Sequence, residues 1–234
     1  MQPTVLICLP FAGAGASFFD SWKSRLPEGL RVAAAQLAGR EERFVEEPST
    51  DVARAVDDIF PWVVEQVASA EQVALFGHSM GAVLAYELAH RLDDVAGVSL
   101  GKVFVSGSPG PWSARTSRAT GLDDDGFLAQ VQRFAGYSHP ALEHPEMRGL
   151  LLPTLRADVE MHENYRPGSD KPLSVPITTL RGRDDELVSA EQIAQWGAAT
   201  TGGFSGVEFD GGHMYLSDAA DDLLRHIAVE LGAS

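Results

Sequence analysis

Short apolar runs alternate along the chain with segments in which apolar residues recur at helical spacing. The strand-like runs are residues 5–9, 32–37, 73–76, 102–105, 177–180 and 207–209. Helical patterns cover residues 51–67, 82–92, 190–196 and 219–231. Because strands that alternate with helices form parallel sheets covered on both faces, the chain is predicted to be an α/β protein. We expect a mostly parallel central sheet flanked by helices.

The stretch between the fourth and fifth of these runs breaks the alternation. It contains no strand-like run, opens with "GSPGPW" and then holds helical patterns at residues 123–137 and 146–166. An insertion of this length is more than a connector. We predict one domain, residues 1–234, with an inserted helical lid subdomain over about residues 108–172. The alternative is a helical subdomain that only covers the core.

A serine stands where the third apolar run gives way to a helical pattern. The sequence there is Gly77-His78-Ser79-Met80-Gly81. This G-x-S-x-G pattern, with a strand before it and a helix after it, is typical of the turn that exposes the nucleophilic serine of α/β-hydrolases. Glycines suit both outer positions because side chains there would clash with the strand and the helix. Ser79 is therefore the candidate nucleophile.

A serine hydroxyl needs a base, and the base needs a third group to orient it. In α/β-hydrolases the order along the chain is serine, acid, histidine. His213 lies in a glycine-bearing loop between the last strand and the last helix, and it is the candidate base. The acid should follow the preceding strand, where Asp185 has a glycine three residues before it and a valine three residues after it. Asp184 remains the alternative.

The oxyanion that forms during acyl transfer needs two fixed hydrogen-bond donors. One is predicted to be the backbone N–H of Met80, at the start of the helix after Ser79, where the helix dipole also helps. The other is predicted to be the N–H of Ala12, in the glycine-rich loop "LPFAGAGASFF" after the first strand.

Charge and cysteine content limit the binding partners and the cellular compartment that the sequence favours. The formal net charge of −15 argues against nucleic acid and against anionic membrane surfaces as partners. The single cysteine, Cys8, cannot form an internal disulfide, which favours a reducing cytoplasm. No apolar stretch approaches the roughly 20 residues that span a bilayer. An acidic protein partner would be repelled at long range unless a local basic patch received it.

With these residues placed, the chain resembles the type II thioesterases, free-standing α/β-hydrolases that serve polyketide and nonribosomal peptide synthases. The resemblance rests on an ordered set of segments: "CLPFAGAGASFF", "LAGREERFVEEP", "LFGHSMGAVLAYELA", "FVSGSPGP", "LPTLRADVEMHENY", "PITTLRGRDDELVS" and "FDGGHMYL". It implies an α/β-hydrolase fold, the triad Ser79, Asp185 and His213, the oxyanion donors Ala12 and Met80, and a lid over an acyl channel.

The resemblance also implies a substrate and a partner. We expect hydrolysis of acyl groups held as thioesters on the phosphopantetheine arm of acyl or peptidyl carrier proteins. No metal and no bound cofactor are expected, since the arm belongs to the partner. Binding of the carrier should be transient and the chain a cytoplasmic monomer. Because carriers are usually acidic, docking needs a basic patch, for which Arg115, Arg118 and Arg133 are candidates, or else a weak and mainly apolar contact.

Several assignments stay open at this stage. Phe127, Phe134, Leu155 and Met161 are predicted lid contacts for the acyl chain, with core packing equally compatible with the pattern. Arg40 and Arg43 match the family's basic segment, and we expect structural pairing with Glu41, Glu42 or Glu46. The same triad would also serve an esterase of small molecules or an acyltransferase. A non-catalytic binding module is disfavoured because all three triad residues are present.

Overall fold

A six-stranded parallel sheet forms the centre of the computed structural model, which describes residues 3–113, 118–135 and 140–233. The strands are β1 (Thr4–Leu9), β2 (Leu30–Ala34), β3 (Gln72–His78), β4 (Leu100–Ser106), β5 (Ile177–Gly182) and β6 (Phe204–Phe209), in the spatial order β2-β1-β3-β4-β5-β6. Every neighbouring pair is parallel. All six predicted strands are present, and the predicted α/β class is confirmed.

Helices connect the strands. They are α1 (Asp20–Lys23), α2 (Val52–Val67), α3 (Met80–Asp93), α4 (Asp124–Ala135), α5 (Pro145–Asn164), α6 (Ala190–Ala194), α7 (Tyr215–Asp218) and α8 (Ala220–Glu230). The Asp51 carboxylate begins α2 by accepting a hydrogen bond from the Arg54 amide, and Ser189 and Gln192 form a capping box at α6. The short helix α1 was not predicted, because four residues are too few to establish a helical period.

Alternate residues of each central strand pack against opposite layers of helices. In β1, Val5, Ile7 and Leu9 belong to the cluster that contains α2 and α3, whereas Leu6 and Cys8 belong to the cluster that contains α8. Both faces are therefore dry, which is why the strand reads as an unbroken apolar run in the sequence. Burial raises the pKa of the Cys8 thiol, in keeping with a packing role.

The order of the strands makes the segments after β1 and β3 leave the sheet on opposite sides. β2 lies on one side of β1 and β3 lies on the other, so the segments that follow β1 and β3 leave the sheet in different directions. Leu9, the last residue of β1, pairs with Gly77 of β3. Ligands of open parallel sheets bind at the carboxyl ends of the strands where such a reversal occurs. The fold thus predicts a site beside residues 10–17 and Ser79.

A helical insertion occupies the chain between β4 and β5. It contains α4 and α5, close to the boundaries predicted from the sequence. A separate small apolar cluster forms within it from Ala119, Phe127, Leu152 and Leu155. Within the described part of the chain, no helix combines the length and the apolar character that crossing a bilayer requires.

Candidate active site

Ser79 forms the turn between β3 and α3, and its backbone is held in a conformation that side chains rarely adopt. Its φ and ψ angles are 52° and −113°. The Ser79 amide donates to the Ser106 carbonyl at 2.8 Å, and the Ser79 carbonyl accepts from the Ala82 amide at 3.1 Å. Non-glycine residues with such angles carry strain and concentrate at functional sites. Ser79 itself is half-buried, and it lies between residues 73–78 and 80–89, which are buried.

The two glycines of the motif are needed for steric reasons. A Cβ atom at Gly77 would overlap the carbonyl of Gly81, and one at Gly81 would overlap the carbonyl of Leu9. The first turn of α3 therefore lies directly against the end of β1. This contact brings the loop after β1 next to the turn that carries Ser79.

Asp185 and His213 come from the loops after β5 and β6 and meet at the carboxyl edge of the sheet. His213 Nδ1 lies 2.9 Å from Asp185 Oδ2, and the two side chains are 10% and 0% exposed. The amides of Leu187 and Val188 donate to Asp185 Oδ1 at 2.8 and 3.1 Å. Asp184, the alternative acid, is exposed and makes no such contact among the described residues.

The electrostatic balance at Asp185 favours the carboxylate. Burial by itself would raise the pKa of Asp185, but the hydrogen bond and charge of His213 and the two backbone amides outweigh burial and lower it. A carboxylate at this position fixes the tautomer of His213 with a proton on Nδ1, which leaves Nε2 free to act as a base.

A buried polar network, which the sequence did not reveal, lies next to His213. The His78 ring lies 4.7 Å from the His213 ring, and His78 Nδ1 contacts Ser106 Oγ at 2.8 Å. Ser106 Oγ in turn lies 2.7 Å from the Tyr215 hydroxyl. Burial, reinforced by the neighbouring histidines, lowers the pKa of His78 well below its usual value, so His78 is neutral. Only the position of His78 inside the motif signalled this network.

Ala12 and Met80, the predicted oxyanion donors, lie on the two segments that meet beside Ser79. Met80 is the first residue of α3. The Ala12 amide donates to no partner within the described chain, so it is available to a substrate. Both amides therefore lie where the loop after β1 faces the helix N-terminus.

A cavity of about 470 Å³ opens between the loop after β1 and the helical insertion. Most of its lining is apolar, and it includes Ala12 and Met214, the residue that follows His213. Further lining residues come from α4 and α5, among them Leu128, Val131, Leu151 and Leu155. The cavity thus connects the candidate oxyanion donor to the insertion.

The four residues predicted to contact the acyl chain from the lid differ in where the structure places them. Leu155 lines the cavity. Phe127 and Met161 do not, because Phe127 is 1% exposed inside the apolar cluster of the insertion and Met161 is 2% exposed in the main core against α3. Helical periodicity marks a residue as inward-facing but does not say which apolar space it enters. The side chain of Phe134 lies outside the described part of the structure.

The partners predicted for the arginines also need correction. Arg40 pairs with Asp158 of α5, 118 positions away, and not with a neighbouring glutamate. Arg43 pairs with Glu46, as expected, and also with Asp58. Of the patch candidates, Arg118 contacts Asn164 and Glu163, Arg133 is exposed, and Arg115 lies outside the described residues.

No group of three or more histidine, cysteine or acidic side chains is arranged to hold a metal ion in the part of the chain that the structure describes. The lining of the cavity, which is mostly apolar, also includes the charged residues Arg40 and Glu41.

Comparison with known proteins identifies the family. The chain matches the thioesterase domain family over residues 4–231. It is 35% identical over 228 residues to the probable cadicidin biosynthesis thioesterase of Streptomyces griseus, covering 97% of this chain and 62% of that protein. It is 33% identical over 239 residues to thioesterase PikA5 of Streptomyces venezuelae, covering 97% of this chain and 82% of that protein.

A solved structure agrees in fold. The type II thioesterase BorB from the borrelidin biosynthetic cluster is 36% identical, and the match covers 98% of this chain and 93% of that chain with a TM-score of 0.88. The architecture is therefore that of an α/β-hydrolase, as predicted. The chain belongs to the thioesterase family. The resemblance to type II thioesterases and the prediction of a thioester hydrolase are confirmed.

Proposed function

We propose that this thioesterase releases acyl groups from the phosphopantetheine arm of acyl or peptidyl carrier proteins in polyketide or nonribosomal peptide synthesis, with Ser79, His213 and Asp185 as its triad. The observation that carries the triad is the buried contact of 2.9 Å between His213 and Asp185 at the sheet edge where the strained Ser79 stands. The family membership supports the thioester, and the names of the relatives support the biosynthetic setting.

The mechanism follows from the order of these groups. His213 Nε2 accepts the proton of Ser79 while Ser79 Oγ attacks the thioester carbonyl carbon. Collapse of the tetrahedral intermediate breaks the C–S bond, and the thiol leaves with a proton from His213. Water then attacks the acyl-enzyme with His213 again as base, which releases the carboxylic acid and restores Ser79. Asp185 stabilises the imidazolium that forms in each step.

The amides of Ala12 and Met80 hold the oxyanion in this proposal. Met80 lies at the N-terminus of the 14-residue helix α3, where the helix dipole favours negative charge. Fixed donors act where charge develops, so they lower the barrier more than they strengthen substrate binding.

The helical insertion, about residues 108–172, acts as the lid in this proposal, and the cavity beneath it receives the acyl chain. Its apolar lining from α4 and α5 suits an alkyl or polyketide chain, and Ala12, the proposed oxyanion donor, belongs to the same lining. The chain needs no cofactor of its own because the pantetheine arm belongs to the carrier. A monomer that meets each carrier transiently would suit an enzyme that serves many carriers.

The test is intact-protein mass spectrometry of an acyl carrier protein loaded with acyl groups of graded length. Wild type should remove the acyl mass and Ser79→Ala should not. Asp185→Asn should lower the rate by about two to four orders of magnitude, because the tautomer of His213 is lost. Asp184→Asn is the matched control and should retain the wild-type rate.

Two results would contradict the proposal. Rapid hydrolysis of free esters without loss of acyl mass from the carrier would make the chain a small-molecule esterase. A large loss with Asp184→Asn and none with Asp185→Asn would overturn the choice of acid.

A further inference from the structure

Side chains from distant segments of the chain form hydrogen bonds with the loop that carries Ala12. Within the loop, the Ala14 amide donates to the Phe11 carbonyl at 3.0 Å. The amide of Gly13, the residue that directly follows Ala12, donates to Asp158 Oδ2 of α5 at 2.8 Å. Gly13 has a φ of 79°, so the loop turns sharply at this point. The course of the backbone around Ala12 therefore depends on where Asp158 lies.

Arg40 completes this attachment. Its Nη2 donates to Asp158 Oδ1 at 2.6 Å and its Nη1 donates to Asp158 Oδ2 at 2.7 Å, which makes the pair bidentate. Arg40 Nη1 also donates to the Ala14 carbonyl at 3.0 Å. The two side chains together thus hold the amide of Gly13 and the carbonyl of Ala14.

The ion pair between Arg40 and Asp158 is buried. Arg40 is 8% exposed and Asp158 is 0% exposed. A buried ion pair contributes little net stability compared with an apolar pair of the same shape, but removing one partner leaves an unpaired buried charge. What the pair supplies here is geometry, because the planar guanidinium fork and the carboxylate fix each other's orientation. Three segments meet at it: the loop after β1, the segment after β2, and α5.

We propose that Arg40 and Asp158 are positioning residues that hold the oxyanion loop, and thereby the Ala12 amide, in the orientation that catalysis requires. They touch no reacting atom and act through the backbone of Gly13 and Ala14. Because Asp158 belongs to α5, the pair also links the position of the helix that covers the cavity to the position of the oxyanion donor. The inference rests on the proposed role of Ala12 and deepens it.

A specific kinetic signature follows. A misplaced oxyanion donor weakens the transition state more than the bound substrate, so the loss should fall on kcat with little change in KM. In Asp158→Asn the amide nitrogen must face a guanidinium N–H in either orientation, and in one orientation it faces the Gly13 N–H as well, so donors oppose each other. In Arg40→Lys the charge is kept, but an ammonium group cannot reproduce the fork.

The control is Glu87→Gln. Glu87 is also a buried carboxylate, 3% exposed, and its Oε1 accepts from the Tyr165 hydroxyl and the Gly168 amide, both at 2.9 Å, just beyond the end of α5. It ties the same insertion to the core but makes no contact with the loop after β1 among the described residues. A merely structural effect of losing a buried carboxylate should therefore show in this variant as well.

The experiment measures kcat and KM on an acyl-N-acetylcysteamine thioester, Tm, and amide hydrogen exchange of the peptide covering residues 10–18. In Asp158→Asn and Arg40→Lys, kcat should fall about 10- to 100-fold, less than for outright loss of an oxyanion donor. KM should stay within about threefold, and exchange in residues 10–18 should accelerate. Glu87→Gln should lower Tm but keep wild-type kcat and wild-type exchange in that peptide.

Unchanged exchange in residues 10–18, or unchanged kcat despite faster exchange, would overturn the positioning role, as would an equal loss of kcat in Glu87→Gln. If Asp158→Asn does not fold, the proposal is tested with Arg40→Lys. Failure of the proposed function looks different, because wild type would then be inactive while the exchange measurement still reports whether the pair holds the loop.

Discussion

Ser79 and Glu41 share a positive φ angle, which favours glycine. They are the non-glycine residues with positive φ in the described chain, at 52° and 47°. Glu41 lines the cavity, and its carboxylate accepts from the Ser17 amide at 3.2 Å. It also lies so close to Gly15 that a Cβ there would overlap it. Both strained residues therefore border the loop that carries Ala12, where surrounding contacts overdetermine the backbone.

The neutral state of His78 predicts how stability depends on pH. The folded protein holds the pKa of His78 well below its usual value because the ring is buried. Below about pH 6.5 the unfolded chain therefore binds a proton that the native chain does not. Stability is fully present above that pH and should fall as pH decreases, by about 1.4 kcal/mol per pH unit for this group.

Urea unfolding between pH 7.5 and 5.5 measures this slope. His78→Asn, which can keep the hydrogen bond to Ser106, should be less stable than wild type at pH 7.5 but should show a shallower slope. Some slope remains from other histidines, such as His90, whose pKa burial also lowers. Equal slopes in the two proteins would show that His78 is not the group responsible.

At the scale of elements, two buried carboxylates hold α5 in place, Asp158 against the segments after β1 and β2 and Glu163 within the insertion itself. Glu163, near its end, accepts from the amides of Ala119 and Thr120, and Asp158 accepts from Arg40 and Gly13. Directional bonds of this kind fix a helix in one register, whereas apolar contacts alone tolerate repacking. The wall that α5 provides to the cavity should therefore be well defined.

The cavity wall from α4 predicts a change in acyl-chain preference. Val131 is half-buried and lines the cavity, so Val131→Phe should fill part of it. Long acyl chains should lose about tenfold or more in kcat/KM, since each methylene excluded from an apolar pocket costs about 1–3 kcal/mol. Acetyl and propionyl substrates should keep the wild-type value.

A series of acyl thioesters of increasing length measures this preference. Val229→Phe, on the 70% exposed side chain of Val229 in α8, is the matched control and should leave the whole series unchanged. If Val131→Phe lowered all chain lengths equally, the cavity would not hold the acyl chain.

For the whole molecule, the net charge of −15 governs the encounter with an acidic carrier. The segment beside the cavity adds to this effect, because the residues at positions 41, 42, 46 and 47 are exposed glutamates. Salt screens repulsion between such surfaces, with a Debye length of about 10 Å at 0.1 M. We expect kcat/KM for an acyl carrier protein to rise severalfold between about 20 and 200 mM salt.

The neutral acyl-N-acetylcysteamine thioester is the control, and its kcat/KM should not depend on salt. The opposite result, a fall in kcat/KM for the carrier with salt together with a raised KM in Arg133→Glu, would show that a basic patch receives the carrier. The mainly apolar docking assumed for this prediction would then be wrong.

The sequence by itself determined the parts of the protein that depend on local pattern. The apolar runs of β1 and β3 marked buried parallel strands, since both faces of such strands must be apolar. The turn at Ser79 was marked by glycines whose absent side chains leave room for the neighbouring chain. The two helices of the insertion were marked by periodicity. These features are predictable because each is set by residues within one turn or strand of one another.

Tertiary structure alone decided which distant groups meet. It brought Asp185 to His213, a choice that the sequence favoured but left open to Asp184, and it paired Arg40 with Asp158 where the sequence favoured nearby glutamates. It also placed Met161 in the main core and Leu155 at the cavity, although both belong to the apolar pattern of α5. A local pattern fixes the direction of a side chain relative to its own element. The partner depends on how elements pack, and that is set by the sum of many contacts between residues far apart in the chain.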